Sequence, residues 1–381
     1  MPEKQYLFTP GPTPVPPQVL AALAEPVLHH RGADFRVIYE RCLGRLQEVC
    51  RTRADVLLFT ASGTAAMESV GANLCEGTRA VVVSSGYFGE RWEKIAALHG
   101  AEVEAIRYEW GEAPRADEVA ARLAELGGAD VVFLTQSETS TGVVADVQAL
   151  AAAAKQAGAL VAVDAISSLG AVPLEMDAWG LDAVASGSQK ALMTPPGLAL
   201  CAVSEAGFAA AKPSRSFYLD WDVTRKAQAK FDAPFTPATS LIVALDVALG
   251  LLLADGLEAT FERHVRLGRA CRAGVKAMGL ELFSPDDDRS AVVTAIRVPE
   301  AIDSGDVVAG VRKHFGMTIA NGQGHLKGRI FRLGHIGWFD IFDITTALSA
   351  VELVLAELGA DVERGAAVTA ALEAFEHQSV R

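Results

Sequence analysis

Of the five cysteines (Cys42, Cys50, Cys75, Cys201 and Cys271), no two form a C-x-x-C pair or stand at metal-ligand spacing. Reduced, partly buried thiols in a cytoplasmic protein are therefore expected. None of the eight histidines falls in an H-E-x-x-H or similar helical pair, and His29-His30 is the only adjacent couple, so no metal site is expected. Positive charge is in deficit: 34 Lys and Arg against 47 Asp and Glu leave a formal charge of -13. That balance argues against the basic face that nucleic acid binding needs. No apolar run reaches membrane-spanning length, and "MPEKQYLFTPGPTPVPP" lacks the basic stretch and apolar core of a signal peptide, so a soluble internal protein with no membrane partner is expected. No G-x-G-x-x-G follows the first strand and no P-loop G-x-x-x-x-G-K occurs, which sets aside a nicotinamide dehydrogenase and a P-loop enzyme. The absence of a G-x-S-x-G elbow does the same for a serine hydrolase built on Ser186 or Ser188.

The residues that are present fit a large globular chain. The 381 residues are half hydrophobic and 21% charged, enough for a sizeable core with a smaller unit attached. Short β-branched runs at 56-59, 80-85, 102-108, 130-136, 160-166, 182-188 and 198-203 alternate with alanine-rich helical stretches such as "ADVQALAAAAKQAG". This alternation predicts βαβ units and a mostly parallel seven-stranded sheet covered on both faces. Long helical patterns near 240-254 and 257-278 precede short strands at 291-298 and 329-336, with helices near 304-315 and 341-358 and a polar loop at 284-290. The organisation expected is an N-terminal arm (1-20), a large domain (21-255) and a small C-terminal α/β domain (256-381). Prolines in "FTPGPTPVPP" exclude regular helix and central strand there.

Ligands of open parallel sheets bind beyond the carboxyl ends of the strands, so the polar residues that close each apolar run carry the functional signal. "LFTASGTAAME" runs from strand through Ser62, Gly63 and Thr64 into helix. It fits either a capped turn or a phosphate held on free amides at a helix N-terminus. "LVAVDAISS" ends its apolar run on Asp164, which either caps the next helix or pairs with a protonated ring nitrogen. "SGSQKALMTPPG" places Lys190 after the next strand. A phosphate cradle, a carboxylate and a lysine at three strand ends match the needs of pyridoxal phosphate: a Schiff base lysine, a partner for the pyridinium and a phosphate site.

Taken together, "TPGPTPVP", "TASGTAAME", "SSGYFGERW", "QSETSTGV", "AVDAISSLGA", "SGSQKALMTPPG" and "GRIFRLGHIG" resemble class V pyridoxal-phosphate-dependent aminotransferases of fold type I, in particular the alanine/serine–glyoxylate branch. The resemblance implies that Lys190 holds the cofactor aldehyde, Gln189 helps bind the phosphate, and Asp164 pairs with the pyridine nitrogen. It puts Ile166 under the ring on the same strand face, Phe88 over the ring, and Thr139 on the ring hydroxyl. Thr236, in "APFTPATSL", would reach the phosphate of the neighbouring subunit of a homodimer, and Arg332 would clamp a substrate carboxylate; by itself, Arg332 fits a surface salt bridge as well. Ala233 stands where some relatives carry a phosphate-binding tyrosine, so the cradle has fewer side chains. His30 and Arg31 in "HHRGADF" fall near the site in similar proteins. The implied reaction moves an amino group from alanine or serine to glyoxylate or pyruvate. The alternatives are an aspartate or ureidoglycine donor, and a non-catalytic partner subunit that keeps the fold. A cysteine desulfurase would stack histidine where Phe88 stands and needs a mobile nucleophilic cysteine.

Overall fold

The computed structural model describes residues 4–214, 216–287 and 290–376. Its main sheet has seven strands in the spatial order Asp55–Phe59, Ala199–Val203, Ala183–Gly187, Leu160–Asp164, Val131–Thr135, Arg79–Ser84 and Glu102–Arg107. Ala199–Val203 is antiparallel to both its neighbours, and the other pairings are parallel. Each predicted strand is present, so the fold is the α/β architecture that the alternation implied.

The reason lies in side-chain alternation. Val81, Val83, Val132, Leu134, Val161, Val163 and Val184 feed the core on one face, while Ala80, Val82, Val131, Phe133, Ala162, Ala183 and Ala185 feed the core on the other. A strand apolar on both faces must be covered twice. Helix Gly63–Leu74 packs over the second face with buried Ala66, Met67 and Val70. Trp92 of helix Gly89–Leu98 joins it there, fully buried, 4.7 Å from the Phe133 ring and donating Nε1–H to the Leu134 carbonyl at 3.2 Å. Deleting such a side chain costs about 3–5 kcal/mol.

A second core surrounds a three-stranded sheet in the order Val293–Arg297, Ile330–Gly334, Ala320–Asn321, backed by helices Ser304–Phe315, Ile341–Glu357 and Ala366–Glu376. Helices Thr239–Leu253 and Leu257–Ala277 meet at 83° around residue 255. Leu257 and Phe261 still pack on the first core, and Leu267 onward on the second. No single described helix is long and apolar enough to cross a membrane. The polar loop expected at 284-290 is described only in part, since residues 288 and 289 lie outside the described residues.

The N-terminal segment belongs in space to both units. Tyr6–Leu7 forms a short parallel pairing with Met317–Thr318, and Phe8 is buried in the second core. Residues 9–13 then cross the carboxyl edge of the main sheet, where the Thr13 N–H donates to the Gln189 carbonyl at 3.2 Å and the Thr13 hydroxyl to the Lys190 carbonyl at 3.0 Å. Helix Pro17–Leu23 starts within the stretch read as an arm, with proline at its first position.

Candidate active site

A cavity of about 240 Å³ opens at the carboxyl edge of the main sheet. Among its lining residues are Ser62, Gly63, Thr64, Phe88, Thr139, Asp164, Ile166, Gln189 and Lys190, nine of the eleven residues given a binding or catalytic role from the sequence. A larger open groove of about 810 Å³ on the second unit, around Glu281 and Arg297, brings together none of them.

Lys190 follows the strand Ala183–Gly187 on a tight turn, and its ammonium donates to the Pro10 carbonyl of the overlying arm. Burial pulls its pKa down to about 8, against the opposing pull of Asp164. Asp164 is the last residue of Leu160–Asp164 and only 4% exposed. Burial pushes its carboxyl up to about 7. Its Oδ1 accepts the Ile166 N–H at 2.8 Å, so it closes a turn rather than capping a helix. Ile166 is corrected in one respect: the strand ends at Asp164, so Ile166 lies on the turn beyond it and not on a strand face. It reaches the cavity all the same, and a Cβ on Gly63 would come within 2.9 Å of its side chain.

One wall of the cavity is built on the start of helix Gly63–Leu74. Ser62 stands at its N-cap position without a capping side-chain bond, so the simple capped-turn alternative is not the one the chain adopts. The Thr64 hydroxyl accepts from Arg91 Nη1 at 2.9 Å. The Gln189 Oε1 and the Ser137 hydroxyl are buried without a partner, and Asp164 takes part in no ion pair among the described residues. An isolated buried carboxylate, unfilled polar atoms and open helix amides at one wall suit a ligand with a protonated ring nitrogen and an anionic end. The residues thus fit pyridoxal phosphate.

Arg332 lies behind Thr139 in strand Ile330–Gly334, 5% exposed. Its guanidinium donates to the carbonyls of Thr139 (2.6 Å) and Asn321 (2.7 and 3.1 Å) and to Gln323 Oε1 at 3.4 Å. Burial lowers its pKa to about 10. It is not in a surface salt bridge; no carboxylate contacts it among the described residues. Thr236 lines a separate small hollow with Tyr218 and Ala233, outside the cavity of its own chain. Arg31 pairs with Asp232 at 2.8 Å, and neither it nor His30 lines the cavity.

Sequence reasoning missed Gly11, Arg91 and Glu138. Arg91 lines the cavity and sits 4.8 Å from the Phe88 ring centroid; its spacing three residues after Phe88 on a helix was the available signal. Glu138 is a buried acid at a strand end, the same signal that singled out Asp164. All five cysteines are buried and none lines the cavity, with burial raising the thiols of Cys50, Cys75 and Cys201 to about 12. No nucleophilic cysteine serves the site.

Fold and strand-end site together define a pyridoxal-phosphate-dependent transferase of fold type I. The aminotransferase class-V family model matches residues 5–330, and the chain belongs to that family. It is 43% identical to a protein named soluble hydrogenase, small subunit, of Synechococcus sp. (strain PCC 6716), over 97% of this chain and 98% of that one. Identity is 34% to the L-aspartate–glyoxylate aminotransferase of Paracoccus denitrificans, over 98% and 97%, and others near that level are named serine–glyoxylate aminotransferases. Among solved structures, the ureidoglycine–glyoxylate aminotransferase from Bacillus subtilis superposes with a TM-score of 0.93 at 29% identity, over 99% of both chains. The protein is an aminotransferase and its cofactor is pyridoxal 5'-phosphate.

Proposed function

We propose that this enzyme transfers the amino group of a small neutral amino acid, alanine or serine, to glyoxylate or pyruvate, as a homodimer in the cytoplasm. The observation that carries the donor class is the pairing of Arg31 with Asp232. Among the described residues, it leaves Arg332 as the one buried guanidinium near the cavity without a carboxylate partner, and a dicarboxylic donor needs two carboxylate readers. Arg91 is engaged by the Thr64 hydroxyl and the Phe88 ring, towards the phosphate end. The neighbouring family members named for aspartate and ureidoglycine mark the alternatives.

Bound pyridoxal phosphate supplies an aldehyde carbon that takes up an amino group and a ring that accepts the electron pair released at the substrate α-carbon. Lys190 would hold that aldehyde. With its pKa lowered to about 8 by burial, the Lys190 amine would be suited to take and return the proton of the substrate α-carbon. Asp164 would keep the ring nitrogen protonated, and Phe88 and Ile166, which line the same cavity, would hold the ring. Thr139 takes the ring hydroxyl. Ser62, Gly63, Thr64 and Gln189, with Thr236 of the partner subunit, hold the phosphate. Arg332 grips the carboxylate common to donor and acceptor.

The non-catalytic subunit reading has the name of the Synechococcus relative behind it, but Lys190 and Asp164 both line the strand-end cavity, which supports the catalytic reading. The test is a matrix of kcat/KM values for alanine, serine, aspartate and (S)-ureidoglycine against glyoxylate and pyruvate. Alanine or serine should lead by about tenfold or more, some 1.4 kcal/mol in transition-state binding. A preference for aspartate or ureidoglycine overturns the donor assignment, and no turnover with any pair supports the subunit reading.

A further inference from the structure

We propose that Glu138 is a positioning residue that holds the Phe88 ring against the cofactor and keeps Thr139 and Arg332 in register with it. The inference rests on the reading of Phe88 as the stacking side chain. Glu138 is 1% exposed, and both its oxygens are fully used. Oε2 accepts the N–H groups of Phe88 and Gly89, each at 2.9 Å. Oε1 accepts the Ser140 N–H at 3.1 Å and the Ser140 hydroxyl at 2.5 Å, and that hydroxyl accepts the Tyr87 N–H at 3.1 Å. Three consecutive amides, 87 to 89, are therefore tied to one carboxylate and its hydroxyl partner.

The Glu138 side chain lies directly against Gly86, where a Cβ would stand 2.5 Å from Glu138 Cγ. The next residue along, Thr139, lines the cavity and offers its carbonyl to Arg332 at 2.6 Å. One side chain thus joins the stacking ring, the ring-hydroxyl ligand and the carboxylate clamp. The chemistry calls for a carboxylate: all four contacts are donors, so an amide would set its own N–H₂ against N–H or O–H groups at one end. No cation contacts Glu138 among the described residues. Burial pushes its carboxyl above the ordinary range, and these donors, two of them at the start of helix Gly89–Leu98, pull the other way.

The test uses holoenzyme of the wild type, Glu138→Gln, Phe88→Leu and the double variant. The measurements are the visible circular dichroism of bound cofactor at equal occupancy, the cofactor dissociation constant, and kcat and KM. Glu138→Gln should lose most of the dichroic signal, weaken cofactor binding about tenfold and raise KM for the 2-oxo acid more than it lowers kcat. In the Phe88→Leu background it should change the dichroism and the dissociation constant by less than about twofold. A Glu138→Gln enzyme with unchanged dichroism and cofactor affinity, or effects that multiply in the double variant, overturns the proposal. If Phe88→Leu alone leaves the dichroism unchanged, the stacking reading falls and takes this proposal with it. Should Glu138→Gln fail to fold, Ser140→Ala removes one donor to Glu138 and the Tyr87 acceptor; a smaller change in the same direction is expected, and none overturns the proposal.

Discussion

Lys190 and Asp164 were legible because each is a charge at the end of an apolar run, where burial is costly and a reason must exist. Glu138 carries the same signature but stands among the polar residues of "QSETSTGV", which hide it in loop chemistry. Arg332 was ambiguous in sequence because exposure cannot be read from "IFRLGH"; burial behind Thr139 decides it. Asp164 gives a prediction with a definite sign. Its carboxyl is raised from the ordinary value near 3.8 to about 7, chiefly by burial. A raised acid favours folding while protonated, and that contribution is lost as pH climbs from about 4 through about 7. In cofactor-free protein, Asp164→Asn should therefore raise the thermal midpoint, and the gain should widen across that window and level off above it. A gain independent of pH would contradict the burial argument. In the holoenzyme the same variant should keep the cofactor yet lose much of its rate, because a neutral amide no longer holds the ring proton.

At the level of elements, the strands were readable to within about two residues, since a strand covered on both faces reads as a continuous apolar, β-branched run between helical stretches. The short Tyr6–Leu7 and Met317–Thr318 pairing was not, because two residues carry no period and their partner is far away in sequence. The consequence for the site is the path of residues 9–13 over Lys190. Gly11 takes φ +118°, and a Cβ there would stand 2.3 Å from Lys190 Cδ. Gly11→Ala should push either the arm or the lysine away, lowering kcat/KM on the order of tenfold or more. The fold should survive, since Phe8 and the Tyr6–Leu7 pairing anchor the segment independently. Steady-state kinetics alongside a thermal melt check this, and a fully active Gly11→Ala enzyme would show that the arm does not shape the site.

For the whole molecule, one chain leaves conspicuous apolar surface near the segment that carries Thr236. Phe217 is 81% exposed; its ring lies tilted 5.4 Å from that of Phe235, on which Tyr218 stacks at 5.2 Å. Val27 is 76% exposed. A homodimer that covers this surface accounts for it and for the distance of Thr236 from the cavity of its own chain. Sedimentation should give a dimer, and Phe217→Asp should weaken both association and cofactor binding; a fully active monomer would contradict the composite site. Composition and periodicity carry no signal for such an arrangement; the resemblance of "APFTPATSL" alone implied it. In the proposed function the chemistry turns on Lys190, which lines the strand-end cavity. Borohydride reduction of the holoenzyme, followed by peptide mass analysis, tests that directly: the cofactor should be fixed on the peptide containing Lys190 and absent from Lys190→Ala. Label on any other lysine, or none on Lys190, would contradict it.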